Sequence, residues 1–188
     1  MSYLTEDEIS KIGFKSYGTN LKISDKVSFY LPENISFKSN IRIDDFCILS
    51  GNITVGNYVH ISAYSALFGA NGIEISDFCG ISPRCTLLSA SDDFSGEFMI
   101  SPMVPKNLTN VTGGLIKLNK YVQIGAGSIL MPNIELSEGS AVGAMSFVNC
   151  NLSEWTIYAG CPAEKIKNRK RNILDLSKQI SIQNVDLS

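Results

Sequence analysis

The sequence predicts an all-β solenoid, and three observations carry that expectation. An aliphatic-x-aliphatic motif recurs at Ile35-Ser36-Phe37, Ile53-Thr54-Val55, Ile73-Glu74-Ile75, Ile116-Lys117-Leu118 and Ile134-Glu135-Leu136, at spacings of 18, 20, 43 and 18 residues. Between these motifs large apolar residues stand six apart, at Phe37, Ile43, Leu49, Val55, Ile61 and Leu67, and again at Leu118, Ile124, Leu130, Leu136, Val142 and Val148. A period of six belongs neither to an amphipathic helix nor to an alternating strand; it is the period of a coil with three flat faces whose equivalent positions stack. The regular pattern breaks only once, over residues 88–115.

Length and composition set the bounds. A chain of 188 residues suits one domain with a sizeable core, here residues 1–188, and is short for two. A net charge of −2 with 18% charged residues gives no basis for nucleic acid or a membrane surface as the main partner. No apolar run reaches the length of a membrane span, and no basic n-region precedes an apolar segment, so a cytoplasmic protein is expected. The five cysteines show no CxxC spacing. Cys47, Cys79 and Cys85 each fall four residues after a hexad aliphatic and read as small core thiols, not as a disulfide or zinc framework.

The elements follow in order. Thr5-Glu6-Asp7-Glu8 has the form of a capping box and predicts a lead-in helix over residues 5–12. The β-solenoid is expected over residues 21–158, its first coil irregular. In each hexad the first aliphatic and the small fifth residue point inward, and the polar residues between them form the corner and the outer face. Residues 88–115 include Phe94, Phe98, Met99, Ile100 and Met103, too apolar to stay solvated, and predict a loop that projects from one corner and packs on a neighbouring copy of the chain. Pro162 in Cys161-Pro162-Ala163-Glu164-Lys165 predicts the first turn of a C-terminal helix over residues 162–180. Its early part carries Lys165, Lys167, Arg169, Lys170 and Arg171, read equally as a solvated face or as a phosphate clamp.

The hexads, Gly-Ala-Gly-Ser at residues 125–128, Val142-Gly143-Ala144-Met145-Ser146 and Tyr158-Ala159-Gly160-Cys161-Pro162-Ala163 together resemble the hexapeptide-repeat acyltransferases. The last segment is similar to the one that ends the β-helix in the sugar and xenobiotic acetyltransferase branch. The resemblance covers nearly the whole chain. It implies a left-handed parallel β-helix, a handedness that spacing alone does not give, since ordinary parallel crossovers are right-handed. It also implies a homotrimer with active sites between subunits, and acetyl-coenzyme A as co-substrate for a direct transfer without a metal.

His60 is the only histidine, and its hexad position turns it outward. An imidazole at a subunit groove suits general-base catalysis, since its unperturbed pKa of about 6.5 lies near neutral pH; the plainer reading is an exposed surface histidine. Sugar O-acetyltransferases of the branch usually place a histidine in the loop after the strand that matches residues 85–88, where this chain has Asp92. A carboxylate holds an amine better than it deprotonates a hydroxyl, so Asp92 or Asp93 favours an amino-sugar acceptor, with a solvated turn as the alternative. Phe94 or Phe98 would pack on a sugar or base. By the resemblance, Ala126 and Ala144 line the pantetheine arm, Asn149 stands where a threonine often does, and phosphate binding falls to Lys165 because Glu164 occupies the usual basic position.

One histidine excludes a metal-dependent carbonic anhydrase on this scaffold, and no threonine array marks an ice-binding solenoid. The reading is an acetyl-coenzyme A-dependent N-acetyltransferase of a nucleotide-linked amino-dideoxy sugar, such as dTDP-4-amino-4,6-dideoxyglucose, used in O-antigen or capsule. O-acetylation of a sugar or xenobiotic hydroxyl is the alternative. A non-enzymatic scaffold trimer is the second.

Overall fold

The computed structural model describes residues 2–185, with side chains to residue 180. The chain winds into a left-handed parallel β-helix of about seven turns, flanked by two α-helices. The hexad residues set the winding. All twelve are 3% exposed or less and form one continuous core with Ile35, Ile53, Ile73, Ile81, Leu87 and Ile116. Burial of each such side chain is worth about 1.5–3 kcal/mol, and stacking the same position coil after coil makes the core continuous.

Each coil contributes a strand to three faces. The first face stacks Leu21–Ile23, Ile41–Ile43, His60–Ile61, Gly80–Ile81, Gln123–Ile124, Ala141–Val142 and Thr156–Ala159 in parallel. The second and third faces share the long strands Ile48–Val55 and Ala66–Ile75, which bend at Gly51 (φ 87°) and Gly72 (φ 98°). A positive φ is accessible to glycine without strain, which is why the corner falls there.

The other two corners use left-handed residues that are not glycine. Tyr58, Phe78 and Tyr121 recur at one corner, and Phe46, Tyr64 and Arg84 at the other, all with φ between 57° and 64°. Such residues cost about 1–3 kcal/mol each, and stacking between coils offsets the cost. The rings of Tyr58 and Phe78 lie 5.0 Å apart, those of Phe78 and Tyr121 5.2 Å, and those of Phe46 and Tyr64 5.0 Å. Lys26 and Arg84 close the shorter ladder from its two ends by cation–π contact.

Thr5 caps the first helix, Glu6–Ile12, and both bonds of the capping box form: Glu8 N–H donates to Thr5 Oγ1, and Thr5 N–H to the Glu8 carboxylate. The loop is rooted in a short antiparallel pair, Ala90–Ser91 with Thr112–Gly113. Beyond it the winding resumes in register, Ile116 beside Ile73 and Gln123 beside Gly80.

The C-terminal segment corrects the expectation of a helix from residue 162. Gly160 turns the chain at φ 109°, and Glu164–Asn168 returns as a strand antiparallel to Thr156–Ala159; the helix begins later, at Ile173–Val185. The last parallel strand would otherwise present an open edge, and the antiparallel strand covers it. Arg169 fastens this return, donating from Nη1 to the carbonyls of Tyr121, Gly139 and Ser140, while Arg171 lies on the Trp155 ring. Lys165, Lys167 and Lys170 stay exposed.

Burial pushes the Cys47 thiol up to about 11 and the Cys79 thiol up to about 12, and Cys85 is raised by the same cause. A thiol reagent applied to the native protein should therefore label Cys150 and Cys161, the two exposed cysteines, and reach the other three only after denaturation. Mass mapping of the labelled peptides checks this.

Candidate active site

The first face carries the polar chemistry. Its register stacks one outward column, Lys22, Arg42, His60, Gly80, Gln123 and Ala141, one residue per coil. Neighbouring strands stand about 4.7–4.9 Å apart, so each step along the column is one rung of that height. His60, 46% exposed at its side chain, is held from behind by Asp44, whose side chain is 9% exposed. Its Nε2 lies 2.8 Å from Asp44 Oδ2, and Arg42 Nε donates to Asp44 Oδ1 at 2.7 Å. A carboxylate only accepts, so Nε2 carries the hydrogen and Nδ1 of the neutral ring is the acceptor. Asp44 thus accepts from both Arg42 and His60 and fixes both; its hydrogen bond raises the Arg42 guanidinium above its ordinary value.

Above His60 the column passes to Gly80, over which the Gln123 carboxamide lies. Gly80 has no side chain, and a Cβ there would lie 2.5 Å from Gln123 Oε1. Gln123 fills this space and donates from Nε2 to Ser82 Oγ at 3.3 Å. Ser82 accepts that hydrogen and keeps its own to donate. An imidazole acceptor, the Gln123 carboxamide and a hydroxyl donor therefore share one wall.

Ala126 and Ala144 occupy the adjoining corner. Their backbone N–H groups donate to no partner among the described residues, whereas those of Gly125 and Gly143 donate to the next coil and those of Gly127 and Met145 to the preceding one. Lys165 stands on the capping strand of the first face, on a strand and not on a helix. Asn149 follows Phe147–Val148 on the second face, away from the Ala126 corner.

The acidic pair is split by its surroundings. Asp93 accepts from Ser95 N–H and Oγ and from Asn110 Nδ2, and these bonds lower its carboxyl pKa. It ties the loop together. The Asp92 side chain is exposed and makes no hydrogen bond among the described residues. Phe94 and Phe98 are 90% and 41% exposed. All four lie on the loop that leaves the corner between the second and third faces, opposite the face that bears His60, so one chain does not bring them to His60. Among the described residues no group of three or more His, Cys, Asp and Glu side chains gathers into a metal site, and no helix is long and apolar enough to cross a membrane.

No protein-family model matches the chain. The dTDP-4-amino-4,6-dideoxy-D-glucose acyltransferase of Escherichia coli is 43% identical over 94% of this chain and 93% of its own length. AntD, an N-acyltransferase from Bacillus cereus solved with dTDP-4-amino-4,6-dideoxyglucose and coenzyme A, is 49% identical, covers 97% of this chain and 98% of its own, and superposes with a TM-score of 0.95. A hexapeptide-repeat acetyltransferase from Vibrio cholerae, 18% identical over 89% of this chain and 80% of its own, shares the fold with a TM-score of 0.66. The fold and these likenesses define an acyltransferase of the β-helix class. The chain belongs to the N-acyltransferase family of the E. coli enzyme and AntD.

Arg42, Asp44, Gly80, Ser82 and Gln123 escaped the reading by motif. Arg42 was accessible by counting, since it stands 18 residues before His60. Asp44→Ala would leave Arg42 and His60 facing an unfilled position. A lost buried acceptor costs about 1–3 kcal/mol, so calorimetry should show a Tm lower by several degrees.

Proposed function

We propose that the protein transfers an acyl group from coenzyme A to the amine of dTDP-4-amino-4,6-dideoxyglucose or a close relative. The observation that carries this is full-length likeness: AntD, solved with that sugar nucleotide and coenzyme A, matches 97% of the chain at a TM-score of 0.95. The same protein solved with 3-hydroxybutyryl-CoA supports acyl groups larger than acetyl.

In this reading the neutral sugar amine lies on the first face beside His60 and the Gln123 carboxamide and attacks the thioester carbonyl carbon. The Ser82 hydroxyl donates to the oxygen as it gains charge, and the C–S bond then breaks. His60 Nδ1 takes one proton from the nitrogen and passes it to the departing thiolate, which leaves as the thiol. Ala126 and Ala144 offer backbone N–H groups to the pantetheine arm, with Lys165 and Asn149 as further contacts of the coenzyme.

Solved variants of AntD replace a serine or an aspartate ten residues further on. Ser82 with Asp92 is the only serine followed at that distance by an aspartate in this chain. This supports Asp92, freed by its partner Asp93, as the group that holds the amine. Because the loop leaves the corner opposite His60, Asp92, Phe94 and Phe98 would reach the site of a second copy, and a homotrimer closes that arrangement three times. Phe94 and Met103, at 90% and 91% exposed, would be covered by the same contact. A cytoplasmic location fits the five free cysteines and both substrates, and the product would serve surface polysaccharide.

Release of coenzyme A with dTDP-4-amino-4,6-dideoxyglucose, free sugars and chloramphenicol tests the acceptor; turnover of alcohols alone would overturn the reading. His60→Asn should lower kcat by ~10²–10⁴, and a loss within about threefold would remove His60 from the proton path. Ser82→Ala should cost ~10²–10³ in kcat. Sedimentation equilibrium should give a trimer, and a monomer that still turns over would contradict the shared site.

A further inference from the structure

Ser82 can turn its hydroxyl two ways, and only one of them serves the transfer. A hydroxyl carries a single hydrogen, so it stabilises the oxygen of a developing tetrahedral intermediate only while that hydrogen faces the substrate and not the protein. The first face holds the groups that decide between the two.

Gln123 pairs in register with Gly80, and Ser82 lies two residues beyond Gly80. Gln123 Nε2 stands 3.3 Å from Ser82 Oγ and 3.5 Å from the Ile124 carbonyl oxygen. A carbonyl oxygen accepts and never donates, so the nitrogen of the carboxamide belongs on this side and its oxygen does not. The same carbonyl accepts the Ser82 backbone N–H at 3.0 Å, which ties serine and carboxamide to one point of the next coil. With Nε2 donating, Ser82 Oγ accepts, and the hydroxyl hydrogen has no acceptor among the described residues.

Gly80 gives the carboxamide its place. A Cβ at Gly80 would stand 2.5 Å from Gln123 Oε1 and 3.1 Å from Cδ and Nε2, its three nearest atoms. Any other residue would press the carboxamide away from Ser82.

We infer that Gln123 is a positioning residue of the acyl transfer: by donating to Ser82 it turns the serine's one hydrogen towards the thioester oxygen, and Gly80 is the residue that permits this. The inference rests on the acylation reading above, with Ser82 as the donor in it, and assigns two further residues to that step. Gln123 touches neither the thioester nor the amine in this role. It removes the inward orientation of the hydroxyl before substrate arrives, so the donor needs no reorganisation as charge develops.

Gln123→Glu tests the assignment, because it keeps the size of the side chain and reverses its polarity. An ionised carboxylate only accepts, so Ser82 would donate inward and present no hydrogen to the oxygen. The kcat should fall by ~10²–10³, with KM for both substrates unchanged, and Gln123→Glu added to Ser82→Ala should cost no more than about twofold further. Protonation of the glutamate restores an O–H donor to Ser82. The ratio of variant to wild-type kcat should therefore rise about tenfold or more as pH falls from about 7 to about 5, towards the ordinary glutamate pKa of about 4.3. Taking the ratio cancels the protonation of the sugar amine, which both proteins share. Gly80→Ala leaves both polar side chains intact and meets only the movable end of Gln123; it too should lower kcat, and should have no such effect in Ser82→Ala.

If the carboxamide acted by holding the amine through Oε1, a carboxylate would hold it as well and the loss would not appear. A Gln123→Glu protein with kcat within about threefold of wild type, a ratio that does not change with pH, or a rise in KM alone would overturn the assignment. A wild type that releases no coenzyme A with any nucleotide amino sugar overturns the acylation reading and this role together, whereas an active wild type with any of those three results overturns this role alone.

Discussion

Each coil of the protein hydrogen-bonds through its backbone to the coil below and the coil above, in parallel and in register. That constraint governs the rest of the molecule. In an ordinary sheet a slip of one residue turns every side chain to the other face. Here a slip in one coil would also displace every coil stacked beyond it, and the twelve hexad residues, 3% exposed or less, oppose that slip together. The same register that aligns Ile43 with Ile61 and Ile81 inside aligns Arg42 with His60 and Gly80 outside. Core and site are two sides of one ladder.

A surface built in this way has a fixed scale, because rungs repeat at the strand spacing. Side chains placed on it act as marks on a ruler, and the marks differ in how firmly they are held. Arg42 and His60 share a buried carboxylate, and Ser82 is tied to Gln123. Gly80 leaves the room that the Gln123 carboxamide takes. This arrangement keeps donors and acceptors in place before substrate arrives, which is the condition under which electrostatic stabilisation is most effective. The loop has the opposite character. It leaves the winding without disturbing it, Ile116 resuming beside Ile73, and it carries exposed aromatic and acidic residues that lie away from His60 in one chain.

Much of the fold was legible because the hexad is long, repeated and unambiguous in period. The hexad residues are those buried in the structure, and the capping box at Thr5 forms both of its bonds. The misread segment lacked such a signal. Pro162 serves the first turn of a helix and a reversal equally well, and every residue of Glu164–Asn168 is exposed, so no apolar pattern distinguishes strand from helix. The open edge of Thr156–Ala159 decided the matter, and an edge is visible only in three dimensions. The basic run after it was misleading for the same reason, since Arg169 turns inward onto three carbonyl groups. At the site, His60 stood out as the only histidine, whereas Asp44 and Ser82 are common residue types whose meaning comes from what the register sets beside them. The likeness of Asp92 and Asp93 in sequence also concealed a difference, because only one of them is committed to the loop.

The central claim is that a single face positions the amine of a nucleotide-linked sugar against the thioester by counting rungs. A crystal structure of the protein with coenzyme A and dTDP-4-amino-4,6-dideoxyglucose tests it most directly. The account predicts the sugar nitrogen at the Gly80 rung beside the Gln123 carboxamide, within hydrogen-bonding reach of His60 or of Asp92 from a second copy, and Ser82 facing the sulfur end of the pantetheine. A sugar nucleotide seated on the second or third face, with the Gly80 rung vacant, would contradict it.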